Sequence, residues 1–438
     1  MGLAYVRSRG RRSALLAQTC ILGLAASACL QNGPEGSSGL VDLEVWYHAG
    51  QPGERAVLEA QAARFNRLQD STRVRLSFLP EGSYNAQVQA SAVAGKLPDL
   101  LDLDGPYVAT YAWQRHLRPL GDLLPGSILG DLLPSIVSQG TWKGTLYAVG
   151  TFDSGLALYA DARALRAVGA RVPQGPVDAW SAAEMTELLG RLTVTDEDGA
   201  VLDLKLNYEG EWFTYAFQPA LRSAGGGLLE VSPARPAAAG TLNGPSSVQA
   251  MTTVQSWMVD GLVDPNLDDA AFVSGRVALS WSGHWDHPRY REALGDDLLV
   301  LPLPDFGGGT RTGQGSWVWT IPRSATRPRA AAAFLAFLLE PAQVHEMADA
   351  NGAVPGTRTA ARESERYGPD GHLSLLLRQL EEGWSAPRPQ TPAYPFASSI
   401  FQDAFDAVRN GEPAQLVLDG AAAAIDREIE DNHGYPFR

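Results

Sequence analysis

The chain predicts an α/β fold in which parallel sheets are covered by helices, and three observations carry that prediction. Apolar residues alternate at period two over residues 43–48 and 74–78, as half-buried strands require. Helical stretches follow each: residues 51–68 place Val57, Leu58, Phe65 and Leu68 on one face, and residues 84–94 run to Gly95 before an apolar strand at 98–106. Strand, helix, strand, helix, strand with crossovers of this length implies a parallel sheet. The third observation is size. With 438 residues, 45% hydrophobic and 19% charged, the chain can build two or three domains with sizeable cores.

The first strand ends at Trp46-Tyr47-His48, the second is stopped by Pro80, and the third closes in Asp104-Gly105-Pro106. Ligands of such sheets gather at strand carboxyl ends, which puts Trp46, Tyr47, His48 and Asp104 on one rim. Residues 141–149 read as a hairpin or edge strand, and 155–159 as another apolar strand. The span 178–270 is mainly helical, with amphipathic runs at 179–192, 209–224 and 246–260. Strands follow at 298–302 and 317–321 around a mobile glycine loop at 306–312, then a helix at 330–339. The tail from 358 is helical, interrupted by the proline-rich 386–395.

The amino terminus is a targeting segment. Arg7, Arg9, Arg11 and Arg12 precede a short apolar run at 14–25, too short to span a bilayer comfortably. Ala26-Ser27-Ala28-Cys29 resembles a bacterial lipoprotein cleavage site, with Ala26 where leucine is usual. The expected product starts at Cys29, acylated on sulfur and membrane-tethered; the alternative is an ordinary signal peptide cut after Ala28. Residues 29–41 are then a flexible tether. Cys20 leaves with residues 1–28, so the mature chain has no disulfide and no thiolate metal site. The net charge is −14 and becomes more negative once the leader's four arginines are gone, which argues against nucleic acid.

Residues 272–287, FVSGRVALSWSGHWDH, concentrate the candidate chemistry. A turn at Ser274-Gly275 leads into a short strand at 277–279. Trp281-Ser282-Gly283-His284-Trp285 then sets small residues between two indoles where that strand should run out. Flat aromatic faces beside a glycine suit a sugar ring, whose C–H face stacks while its rim is hydrogen-bonded; the competing reading is a Trp-rich core patch.

Several segments recur in an order that identifies a family. They are VWYH, AGKLPDLLDLDGPYVATYA, GTLYAVGTFDSGLALYADARAL, FVSGRVALSWSGHWD, GSWVWTIP, NGAVPGTRTA and RPQTPAYPFASSIFQDAFDAV. Together, over essentially the whole mature chain, they resemble the extracellular solute-binding proteins of ABC importers, in particular the sugar-binding family that includes maltose- and trehalose-binding proteins. The resemblance implies a periplasmic-binding-protein-like fold: two α/β lobes joined by a three-crossing hinge, with the ligand in the interlobe cleft. Crossings near Phe152, Gly275 and Gly315 would assign 42–152 plus 276–315 to lobe one and 153–275 plus 316–438 to lobe two. The implied partners are a carbohydrate and the transmembrane subunits of an ABC permease. The implied protein is an extracytoplasmic, lipid-anchored monomer with no cofactor and no catalysis.

A sugar cleft needs aromatic faces with carboxylates and an arginine at the rim. Trp281 and Trp285 are the first stacking candidates, then Trp212 and Trp317. Asp104 is expected to accept from sugar hydroxyls, or else to cap the following turn. Asp153 is either a ligand contact or a hinge bond, and Arg388 either a sugar contact or an exposed loop arginine. His48 and Tyr84 are further candidates, with core or loop roles competing.

Other chemistry is a poorer fit. Phe152-Asp153-Ser154-Gly155 lacks the leading glycine of a hydrolase nucleophile loop, and residues 307–313 lack the Gly-Lys-Ser/Thr ending of a phosphate loop. His284, Asp286 and His287 have no third ligand at longer range. Asp102 and Asp104 project alike from one strand, so a surface glycoside hydrolase is the competing enzyme reading, and a binder of a phosphorylated or other polar solute the competing binder.

Overall fold

In the computed structural model, which describes residues 40–193, 199–231, 235–368 and 370–436, two sheets organise the chain. The leader, Cys29 and most of the tether lie outside the described residues. The first sheet has the order Thr72–Leu79, Val41–His48, Leu100–Asp104, Trp317–Thr320, Ala148–Val149. Its first three strands are parallel, as the strand–helix alternation predicts. Helix Pro52–Leu68 buries Leu58, Ala62 and Phe65, whereas Leu68, at its last position, is exposed. Helix Glu81–Val93 buries Tyr84, Val88 and Ala92 at i, i+4, i+8 spacing.

The second sheet has the order Leu298–Leu301, Leu156–Asp161, Leu279–Gly283, Leu202–Asp203. Helices Ala182–Leu192, Glu211–Ser223, Pro245–Val259, Tyr394–Arg409 and Ala414–Asp431 supply the apolar side chains that pack with it into one core. Helix Ala182–Leu192 starts with a capping box in which Ser181 and Glu184 satisfy each other's backbone N–H groups. No helix among the described residues is long and apolar enough to cross a membrane.

Two lobe assignments are corrected. Residues 276–315 were expected in the first lobe, but strands Leu279–Gly283 and Leu298–Leu301 both pair with Leu156–Asp161 in the second. Residues 316–438 were expected in the second, but Trp317–Thr320 inserts antiparallel beside Leu100–Asp104. Helices Pro328–Leu338 and Pro341–Asn351 follow it onto the first lobe: Phe334 meets Phe65 edge-on at 5.1 Å, and Gln61 Nε2 donates to the Gln343 carbonyl at 2.9 Å. Both apolar runs suit a strand in either sheet, and only the pairing decides.

The chain therefore passes between sheets within residues 150–155 and 302–316, which include the expected Phe152 and Gly315. Gly275 is not a crossing, because the strands on either side of it belong to the same sheet. The third passage follows helix Arg358–Glu363, which is tied to the first lobe by Thr359 Oγ1 donating to Asp131 at 2.9 Å. Two small ladders brace the crossings: Phe152–Asp153 with Val354–Pro355, and Thr312–Gln314 with Ser385–Pro387. The glycine loop before Thr312 is tied down, with Gly307 and Gly309 N–H groups donating to Asp305 Oδ1 at 2.7 and 2.8 Å.

Candidate functional site

Strand Leu279–Gly283 runs two residues beyond Trp281. Trp281 is thus a mid-strand residue opposite Leu158, fully buried, with its ring 5.8 Å from Phe217. The expectation that it stacks on a ligand is corrected: an indole in mid-strand facing a covering helix is core. The strand ends at Gly283, and a 3-10 turn His284–Asp286 carries Trp285 past it. A Cβ on Gly283 would come within 2.2–2.6 Å of the six-membered part of the Trp285 ring, so glycine there is what lets the indole fold back over the strand end.

Trp285 is half-buried. Its neighbours are aromatic: Trp212 meets it edge-on at 6.0 Å and Tyr215 lies tilted at 6.1 Å. Trp212 is itself 6% exposed, with its indole N–H donating to the Leu204 carbonyl at 3.2 Å, so it forms a wall behind Trp285 rather than an open stacking face. Tyr215 shares a hydrogen bond with the Ser154 hydroxyl at 2.6 Å and lies under the Arg388 guanidinium, 5.0 Å from the ring centre.

Arg388 is 6% exposed and sits between two carboxylates. Both of its terminal nitrogens donate to Asp104, Nη1 at 2.8 Å to Oδ2 and Nη2 to Oδ1. Nη1 also donates to Glu211 Oε2 at 3.1 Å. Tyr394 and Tyr107 hydroxyls complete the cluster, donating to Glu211 at 2.5 and 2.9 Å. Burial pushes the Glu211 carboxyl up, and Asp104 adds to this while Arg388 opposes it. Burial works against the Arg388 charge, but Asp104, Tyr394 and Glu211 more than restore it. Asp104 and Tyr107 come from the first lobe; Arg388, Glu211, Tyr394 and Tyr215 follow the crossings into the second. The arginine and the aspartate expected to face a sugar therefore hold each other across the seam between lobes. Asp104 makes no cap bond to the turn that follows it, and Arg388 is not an exposed loop residue.

Trp317 is the first residue of its strand, directly opposite Asp104 in the ladder, and half-buried. One face stacks on His48, ring centres 3.9 Å apart and planes 6° from parallel, and the Tyr84 ring meets it edge-on at 5.2 Å. His48 and Tyr84 are both buried and both engage Asp102, Nδ1 at 2.5 Å and the phenol at 2.6 Å. They brace Trp317 and do not present polar atoms of their own, which corrects their place among the direct contacts. Asp153 is fully buried at the first crossing, accepting from the Ser154 and Gly315 N–H groups at 2.7 and 3.3 Å. It joins two crossings through Oδ1, as the expected hinge role requires.

His284 bonds the Asn351 carbonyl at 2.9 Å, and His287 stacks on His372 at 4.8 Å. Glu211, Tyr215, Tyr107 and Tyr394 were not singled out from sequence. All four stand near residues that were: Glu211 and Tyr215 on either side of Trp212, Tyr107 after Asp104 and Tyr394 after Arg388, so proximity to a chosen residue was the available signal.

Residues 60–373 match the model of the bacterial extracellular solute-binding protein family. A Streptomyces antibioticus protein described as an uncharacterized lipoprotein in the oleD 5′ region is 24% identical over 366 residues, covering 80% of this chain and 78% of that one. Among solved structures, the cyclic α-maltosyl-1,6-maltose binding protein of Arthrobacter globiformis superposes with a TM-score of 0.73 at 22% identity, covering 90% of this chain and all of that one. The GacH receptor of Streptomyces glaucescens, solved unliganded and with acarbose, superposes with a TM-score of 0.76 at 20% identity over 90% of this chain and all of its own. These likenesses agree with the fold, and the family match covers most of the chain: this protein belongs to the bacterial extracellular solute-binding proteins that serve ABC importers.

Proposed function

We propose that the protein captures a sugar, an oligosaccharide, between its lobes and hands it unchanged to the transmembrane subunits of an ABC permease. It works as a monomer tethered outside the cytoplasm by lipid on Cys29. The observation that carries the sugar reading is the pairing of two half-buried indoles, Trp285 and Trp317, with the Asp104–Arg388–Glu211 cluster at the same interlobe seam. Indole faces receive the C–H side of a pyranose, and charged hydrogen-bonding groups serve its hydroxyl rim. The structural relatives named for maltosyl-maltose and acarbose favour a glucose-based oligosaccharide among the candidates.

Binding without chemistry is supported by what the carboxylates already do. Asp102 is engaged by His48 and Tyr84, and Asp104 by Arg388, so this pair is not set up as an acid and a nucleophile. A thermal-shift screen against a saccharide panel, with product analysis of each hit, tests the reading. A raised melting temperature with the saccharide recovered intact is expected; cleavage of the saccharide would replace the reading with a hydrolase. Cys29→Ser is expected to release the protein from membranes, and continued detergent-only extraction would contradict the lipid anchor.

A further inference from the structure

We propose that His48, anchored through Nδ1 to Asp102 and stacked flat on one face of Trp317, is a positioning residue that fixes the plane of that indole and so presents its other face to the ligand. This deepens the capture reading and rests on it for the role of Trp317. The stack is close and nearly parallel, 3.9 Å between ring centres at 6°. Sequence puts no constraint on this contact; it forms because the carboxyl end of the first strand and the start of Trp317–Thr320 converge on opposite sides of Leu100–Asp104.

The imidazole cannot turn. Its Nδ1 is 2.5 Å from Asp102 Oδ2, its backbone N–H donates to Asp102 Oδ1 at 3.2 Å, and its Nε2 is 3.7 Å from Glu54 Oε1. Three acidic side chains favour the charged ring, and the nearby cation Arg55 is turned to the Ala49 and Gly50 carbonyls at 2.5 and 2.7 Å. Asp102 faces it from strand Leu100–Asp104, Glu54 from helix Pro52–Leu68, and Glu81 from helix Glu81–Val93. The remaining neighbours are neutral rings: Tyr47 on its own strand at 4.4 Å, Tyr84 through Asp102, and Trp317 itself. Burial by itself would lower the histidine, but the three carboxylates outweigh it and carry its pKa up to about 9. The ring is therefore a cation at neutral pH, and a cation over an indole face is attracted by the ring quadrupole. With Tyr84 closing the edge at 5.2 Å, the Trp317 plane is set before any ligand arrives, so ligand binding does not have to order it.

The experiment needs no ligand. The mature chain is labelled with 5-fluorotryptophan, and the Trp317 resonance in the ¹⁹F spectrum is assigned by its loss in Trp317→Phe. The expected result is that this one resonance moves with pH, with a midpoint near 9, and that the movement disappears in His48→Gln. A Trp317 resonance that does not titrate between pH 7 and 10 would overturn the proposal, and so would one that titrates identically in His48→Gln. If His48→Gln does not fold, the titration of the unsubstituted protein decides alone. A saccharide screen without a hit, beside a titrating Trp317, counts against the capture reading and leaves the clamp supported. A hit beside a flat resonance does the reverse.

Discussion

Trp281 and Trp285 stand four residues apart and take opposite roles. The first points into the core against Phe217, the second lies half-buried beside Tyr215 and Trp212. Truncating a core indole leaves a cavity, so Trp281→Ala is expected to lower stability by about 3–5 kcal/mol in denaturant unfolding. Trp285→Ala should leave the unfolding midpoint nearly unchanged and weaken saccharide binding by about 1–3 kcal/mol. Both indoles were legible as a cluster from sequence. Which of them stays clear of the core was not, because it depends on where the strand ends: an end at 279 frees both, an end at Gly283 frees only the second. His48 adds a pH dependence. Its folded pKa is raised, so its contribution to stability is present in full below the ordinary histidine value and is lost as pH rises through about 9. Thermal melts of wild type and His48→Gln across pH 6–10 should converge at the alkaline end.

At the level of elements, the site is made by strand ends and turns that do not touch in sequence. Strand Leu100–Asp104 delivers Asp104, the start of helix Glu211–Ser223 delivers Glu211, and the segment after Ser385–Pro387 delivers Arg388. Parallel strands with crossover helices made the first rim readable, and Asp104 was placed on it that way. Arg388 was found through resemblance, while Glu211 was missed: a carboxylate ahead of an aromatic helix face looks like an ordinary first-turn acid until the arginine arrives 177 residues later. Removing that arginine leaves two buried carboxylates facing one another. Arg388→Met is expected to cost about 3–5 kcal/mol at pH 7. The deficit should shrink toward pH 5, because burial and Asp104 already push the Glu211 carboxyl up and protonating it relieves the repulsion; equal deficits at both pH values in urea unfolding would contradict this.

Across the whole molecule, the two-lobed α/β class was legible and the lobe boundaries were not. The order of apolar runs announces strands, but it carries no label for the sheet that accepts them. The runs at 279–283 and 317–320 exchanged places relative to expectation for that reason. Two of three passages between the sheets fell where expected because Phe152 and Gly315 border real changes of sheet. Gly275, with a positive φ of 76°, marks only a turn within one. The interlobe seam itself is closed by Arg388 bonding to Asp104, so a sugar entering it must take over or reshape those charge-assisted bonds.

Calorimetric titration of a maltooligosaccharide series into the mature protein and into Trp285→Ala tests the central claim most directly. The predicted result is saturable one-to-one binding of at least one member, recovered uncleaved, with affinity at least roughly tenfold weaker in the variant. Equal affinity in the two proteins, or heat from saccharide hydrolysis, would contradict capture on that indole between the lobes.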